Sequence, residues 1–224
     1  MSSSPTLSTV FFDLDGTLAD TAPDLAAALN QLFEQHGHKA LPYEVIRPTV
    51  SMGGNAMLKL GFTIDEATQQ FEQLRDEFLA IYDRRLHRDS RLFAGMAEVL
   101  DEIEAMGLRW GIITNKSTWL TEPLISELGL TSRTGCIVCG DSTAHRKPHP
   151  APMFHACKLT GSLPQESVYV GDARRDIEAG KASGMQTLAA AWGYIEKEDF
   201  IDSWEADAVI QSPAGILEWL RQKR

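Results

Sequence analysis

The chain has 224 residues, 43% hydrophobic and 23% charged, the makeup of a folded globule that holds one large domain or a medium domain with a small insertion. A net charge of −10 and a pI near 5.0 argue against nucleic acid and against an anionic membrane surface as partners. No apolar run approaches a membrane span, and Met1 to Leu7 lacks both the basic and the apolar parts of a secretion signal, so a cytoplasmic protein is expected.

The first predicted strand covers residues 8–12. Val10-Phe11-Phe12 is apolar on both faces, the mark of a buried parallel strand, and it runs into Asp13-Leu14-Asp15-Gly16-Thr17. In open α/β sheets, ligands bind beyond the carboxyl ends of the strands. Residues two apart on extended chain point the same way, so Asp13 and Asp15 face one site unless Gly16 turns the chain. Two carboxylates this close repel unless a cation compensates them. Mg²⁺, which takes a few carboxylates plus phosphate oxygens of a substrate, suits that need. The same residues also read as ordinary turn chemistry, so their weight depends on partners downstream.

The stretch that follows is helical. Ala22 to His36 carries an apolar stripe of Leu25, Leu29, Leu32 and Phe33, and Asp65 to Arg85 carries Phe71, Leu74, Phe78, Leu79 and Tyr82. A shorter helix is predicted over Asn55 to Leu60. These define a helical insertion over 19–87, hinged near 18–20 and 88–90, within a core made of 1–18 and 88–224. Arg47 to Gly54 holds its candidate substrate contacts: Arg47 for an anionic group, Ser51, and Gly53, where glycines let backbone approach closely. The stretch reads equally well as a plain connecting loop with a solvated arginine.

From residue 95 onward, strands alternate with helices. A helix over Met96 to Met106 stops at Gly107, and the strand at 108–113 ends in Thr114-Asn115-Lys116. Thr114 can donate to a phosphate oxygen, or cap the helix predicted over Thr118 to Leu128. Strand 136–139 follows, then Arg146-Lys147-Pro148, where the residue before proline is held extended and its ammonium suits a phosphate or crowded carboxylates. Strand 167–171 ends in Gly171-Asp172, with Asp176 four residues on, which shares a side with Asp172 if a helical turn begins there. That helix is predicted over Asp176 to Ser183, before a last strand at 187–191. The alternation predicts a doubly wound, mostly parallel, Rossmann-like α/β sheet with the helical insertion attached. Cys136 and Cys139 sit three apart on a strand and so face opposite ways, which makes them buried structural thiols rather than a redox pair. His145, His149 and His155 are separated by prolines and read as loop rather than as a second metal site.

Acidic, hydroxyl and lysine residues at successive predicted strand ends, in this order, resemble the haloacid dehalogenase-like superfamily. Asp13, Leu14, Asp15, Gly16 and Thr17 match its first motif, Thr114 the second, Lys147 the third, and Gly171, Asp172 and Asp176 the fourth. Leu18 to Asp24 and Thr114-Asn115-Lys116 look most like its phosphoglycolate phosphatases. Cys139-Gly140-Asp141 and Arg146 to Pro152 are similar to the related group that acts on N-acetylmuramic acid 6-phosphate. Ala173 stands where serine is frequent, and Arg146 where serine or alanine is common; neither alters a motif carboxylate.

The resemblance implies a Mg²⁺-dependent hydrolase of small phosphate monoesters. Asp13 would attack phosphorus, and Asp15 would act as acid and then base. Thr114 and Lys147 would neutralise the phosphoryl oxygens. Leu14, Asn115 and Lys116 would join Arg47, Ser51 and Gly53 in contacting substrate. The metal would be held by the Asp13 and Asp172 carboxylates and the Asp15 backbone carbonyl, with Asp176 acting through a water or a hydrogen bond. The insertion would be a cap that closes over the site and excludes water. A phosphomutase on the same scaffold is the nearest alternative and a phospho-aspartate signalling receiver a distant one. Monomer and homodimer both remain open.

Overall fold

The computed structural model describes residues 7–196 and 198–223. The chain opens with β1 (Thr9–Phe12), buried along its whole length as a both-face apolar run requires. It leaves and re-enters the core through a short antiparallel ribbon, β2 (Ala19–Asp20) against β3 (Arg91–Leu92). Between these lie α1 (Ala22–Gln35), α2 (Tyr43–Ile46), a tight helical turn over Arg47–Met52, α3 (Gly54–Leu58) and α4 (Gln69–Asp83). The second half alternates: α5 (Met96–Ala105), β4 (Arg109–Ile113), α6 (Thr118–Glu127), β5 (Ile137–Val138), α7 (Ala151–Thr160), β6 (Ser167–Gly171), α8 (Arg174–Ser183), β7 (Gln186–Ala190), β8 (Ala208–Ile210) and α9 (Ala214–Gln222).

Six of these strands form one parallel sheet in the order β5-β4-β1-β6-β7-β8, the doubly wound α/β arrangement expected. The central strand β1 pairs with β4 on one side (Val10 opposite Trp110) and with β6 on the other (Val10 opposite Val168). The chain builds outward from β1 in one direction through β4 and β5, then in the other through β6, β7 and β8. The strand order therefore reverses at β1, where such sheets bind ligands.

Several boundaries differ from the sequence expectation for local reasons. α4 starts at Gln69 instead of near Asp65, because Thr68 caps it with a hydroxyl that accepts the Phe71 N–H at 3.3 Å. α8 starts two residues before Asp176, so Asp176 lies inside its first turn. The ribbon, β8 and α9 have no counterpart among the sequence-predicted elements. One contiguous apolar cluster runs from Val10 and Ile112 through Leu14 and Leu18 to Phe33 and Phe78, so the insertion is packed into the same core as the sheet. A second cluster under α7 holds Cys136 and Cys157 beside Phe11 and Ile113. All three cysteines are buried and unpaired, and burial pushes the Cys136 thiol up to about 12, far from the thiolate that redox work needs.

Candidate active site

The Asp13 N–H still donates to Val170 O at 2.9 Å, so this residue extends the β1 ladder by one step at the carboxyl edge of the sheet. Its side chain is nearly inaccessible. Oδ1 accepts the Leu14 N–H at 2.8 Å and lies 2.9 Å from Lys147 Nζ. Leu14 thus meets the site through its amide, while its side chain is buried in the core.

Lys147 is placed from two directions. Asn115, just past β4, holds its backbone, accepting the Lys147 N–H with Oδ1 and donating from Nδ2 to the Lys147 carbonyl, both at 3.0 Å. The ammonium then donates to Tyr169 Oη at 2.7 Å and Ile113 O at 3.0 Å, and pairs with Asp176 Oδ1 at 2.8 Å. A fully buried lysine joined to two carboxylates serves as a fixed positive charge.

Asp172, at the end of β6, accepts from Tyr194 N–H at 2.8 Å and from the Ser51 hydroxyl at 2.7 Å on Oδ2, and from Thr17 at 3.3 Å on Oδ1. Asp176 Oδ2 accepts the Ala173 N–H at 3.0 Å in the first turn of α8. One oxygen each from Asp13, Asp172 and Asp176 lie within 4.8 Å of one another, close enough to hold a metal ion together. Burial pushes Asp13 up to about 7, opposed by Lys147 and reinforced by Asp176 and Asp172. Burial and then Asp176 push Asp172 up to about 6, against the Tyr194 and Ser51 hydrogen bonds. Arg175, half-buried, has its guanidinium held more firmly charged by Asp176, Asp13 and Asp172, against the cost of burial.

The group passes a test of fit for a divalent cation. Asp176 Oδ1 is buried with the Lys147 ammonium as its one contact, the three carboxylates outnumber the Lys147 and Arg175 cations that face them, and every donor is a hard oxygen. The Asp15 carboxylate stands apart from this group. Its Oδ1 accepts the Thr21 hydroxyl at 2.6 Å and Lys116 Nζ at 3.0 Å. Lys116 in turn donates to Tyr82 Oη of α4 at 2.7 Å. Burial lowers the Lys116 value, but Asp15 and Tyr82 more than reverse this and hold it firmly protonated.

Other sequence-selected residues fall as follows. Thr114 is buried, and its Oγ1 accepts the Lys116 N–H at 3.2 Å. The alternative that it caps α6 does not hold, because Asp141 accepts the Thr118 N–H at 3.0 Å. Arg47 donates to Gly193 O and Trp192 O, both at 3.1 Å, and covers the Tyr194 ring. Gly53 is exposed at φ +89°, a conformation that favours glycine, and a Cβ there would meet nothing within 4 Å. The His145 and His149 rings stack 4.3 Å apart on the exposed loop. Tyr82, Tyr169, Tyr194 and Thr21 enter the site with no site role assigned to them from the sequence, which places Thr17 only within the first motif. Only their tertiary neighbours reveal them, since each reads locally as core aromatic or turn hydroxyl.

A family model described as haloacid dehalogenase-like hydrolase matches residues 10–190. The N-acetylmuramic acid 6-phosphate phosphatase of Pseudomonas putida is 42% identical over 207 residues, covering 92% of this chain and 93% of its own length. The phosphoglycolate phosphatase of Xanthomonas campestris is 40% identical over 209 residues, with 93% and 94% covered. A solved structure from Haemophilus somnus, described as a predicted phosphoglycolate phosphatase, matches with a TM-score of 0.84 at 26% identity, over 95% of this chain and 97% of that one. Sequence match and architecture agree: the chain belongs to the haloacid dehalogenase-like hydrolases.

Proposed function

We propose that this hydrolase is a Mg²⁺-dependent phosphatase that cleaves small phosphate monoesters through an aspartyl-phosphate on Asp13. The observation that carries the reading is the meeting of Asp13, Asp172, Asp176 and Lys147 at the point where the strand order reverses. Asp13, Asp172 and Asp176 would hold the cation, with the Asp15 carbonyl beside them, and Mg²⁺ supplies positive charge against the phosphoryl oxygens.

Asp13 attacks phosphorus, forming an acyl phosphate and breaking the P–O bond to the alcohol. Asp15, set to one side by Thr21 and Lys116, gives its proton to the departing alkoxide. It then takes a proton from the water that attacks the acyl phosphate, releasing phosphate and restoring Asp13. Lys147 and Thr114 neutralise the oxygens on which charge accumulates. Asn115 contributes by clamping the Lys147 backbone. The insertion over 19–87 acts as the cap, which excludes water when docked.

For substrate, the reading favours 2-phosphoglycolate or N-acetylmuramic acid 6-phosphate, the compounds for which the two relatives are named. Both carry a carboxylate as well as the phosphate. Lys116 stands beside Asp15, where the leaving group departs, and its ammonium is the candidate contact for that second charge.

Phosphate release measured over a panel of monoesters, with and without EDTA, tests this. Net release with an acidic ester preferred is expected, and Asp13→Asn should lose about 10³-fold or more, the scale of losing an essential catalytic group. Activity retained by Asp13→Asn removes the nucleophile assignment. Activity only in the presence of a bisphosphate, without net phosphate, turns the protein into a mutase.

A further inference from the structure

The turn Arg47–Met52 meets the acidic cluster directly at one end and reaches it through the 192–194 loop at the other. At one end, the Ser51 hydroxyl donates to Asp172 Oδ2 at 2.7 Å. At the other, Arg47 donates to the carbonyls of Trp192 and Gly193, both at 3.1 Å, with its guanidinium 4.9 Å from the centre of the Tyr194 ring. That loop returns to the same carboxylate, because the Tyr194 N–H donates to Asp172 Oδ2 at 2.8 Å. It is also fixed to the first motif, since Trp192 Nε1 donates to Thr17 O at 3.0 Å. Insertion, loop and Asp172 therefore close one hydrogen-bonded ring. Neither Ser51 nor Arg47 was selected for this role by the sequence, which offered both as substrate contacts.

We infer that Ser51 and Arg47 are positioning residues for the cation site, so that docking of the cap turn and binding of a divalent cation at Asp13, Asp172 and Asp176 strengthen each other. This rests on the proposed cation reading of that cluster. Each carboxylate oxygen offers two lone pairs. On Oδ2 of Asp172 both are taken, by Ser51 and Tyr194, while Oδ1 has one long contact with Thr17 and keeps capacity. The cap contact thus orients the carboxylate without filling it. Hydrogen bonds that orient a ligating group are worth about 10–100-fold in metal affinity. Linkage makes the effect reciprocal, so whatever factor docking adds to cation binding, the cation adds to docking. Arg47 acts on Asp172 only through the 192–194 loop, which makes it the discriminating position.

Two measurements on the full chain test the inference: calorimetric titration of MgCl₂ into metal-stripped protein, and amide hydrogen exchange of 47–52 and 192–194 with and without Mg²⁺. Ser51→Ala and Arg47→Met should each weaken Mg²⁺ binding about tenfold, the low end of such losses. The double variant should lose little more than either, because both break one docking event. Ser51→Thr keeps the hydroxyl and should bind close to wild type. In the wild type, Mg²⁺ should slow exchange in both segments, and in Arg47→Met it should not. Wild-type Mg²⁺ affinity in both single variants, or exchange that ignores Mg²⁺, overturns the inference while leaving the cation reading intact. A wild-type protein that takes up no Mg²⁺ overturns the cation reading and the inference with it. Each variant is informative alone, so failure of one to fold leaves the other to decide.

Discussion

Asp172 is held between two residues that have no side chain. Gly16 adopts φ +85°, and a Cβ there would lie 2.1 Å from Asp172 Oδ2; a Cβ on Gly193 would lie 2.1 Å from Asp172 Cβ. Backbone therefore walls the carboxylate on both sides. Gly193 gives the cleaner test, because the change at Gly16 adds backbone strain to crowding. Gly193→Ala should force Asp172 aside, cost about 1–3 kcal/mol of stability as an overpacked position, and weaken Mg²⁺ binding about tenfold or more. Urea unfolding and calorimetry read the two effects, and a variant with wild-type values in both would mean that the loop yields freely. Asp13 and Asp172 are legible in the amino-acid sequence, because an acid directly after a buried-type strand is poor scaffold, whereas Asp176 is read from its helical spacing to Asp172 and Lys147 from the proline that holds it extended. Tyr194 is not legible. It follows the last predicted strand in irregular chain, yet its hydroxyl accepts the Thr21 and Ala22 N–H groups at 2.7 and 2.9 Å and donates to Asp20 at 2.7 Å. Partners so distant along the chain leave no local pattern.

At the scale of elements, the two crossings between sheet and insertion are joined by one buried carboxylate. Asp24, in the first turn of α1, accepts with Oδ2 from the Asp89 and Ser90 N–H groups, both at 2.9 Å, and from the Ser90 hydroxyl at 2.8 Å. It thereby ties the helix that follows β2 to the chain that precedes β3. Removing an acceptor leaves buried donors unsatisfied at about 1–3 kcal/mol each where water cannot reach them. Asp24→Ala should accordingly cost at least about 2 kcal/mol by urea midpoint, whereas Asp24→Asn, which retains an acceptor oxygen, should cost clearly less. Equal losses in the two variants would show that the hydrogen bonds at Oδ2 are not what joins the crossings. The element pattern itself is legible where periodicity has room to act. The buried strand at 167–171 matches its prediction end for end, and α1 and α5 fall within a residue of theirs. The ribbon has two residues per strand and β8 has three, too few for alternation to register. α9 does carry a helical apolar spacing, with Ile216, Trp219 and Leu220 buried, but it lies beyond the last predicted strand.

At the scale of the whole molecule, an acidic chain has placed carboxylates where water cannot screen them, and this fixes how stability responds to pH and metal. Burial raises Asp13 to about 7 and Asp172 to about 6, from an ordinary value of 3.8. Between about pH 4 and 7 the folded metal-free protein therefore holds protons that the unfolded chain has already released. Stability depends on pH through that difference, and it falls with rising pH wherever the folded state binds more protons. The contribution is complete below about pH 4 and is lost as pH climbs through 6 and 7. A bound cation reverses this, since it needs the carboxylates ionised and competes with the protons. In EDTA the melting temperature should fall from pH 5 to pH 7.5, and saturating Mg²⁺ should raise it more at pH 7.5 than at pH 5. Other groups also titrate in this interval, so the decisive comparison is with Asp13→Asn, which cannot ionise. That variant should show a shallower fall in EDTA and a smaller rescue by Mg²⁺. A slope unchanged by Asp13→Asn, or a Mg²⁺ rescue of equal size at both pH values, would separate the acidic cluster from the pH response and leave its charge balanced by the protein alone.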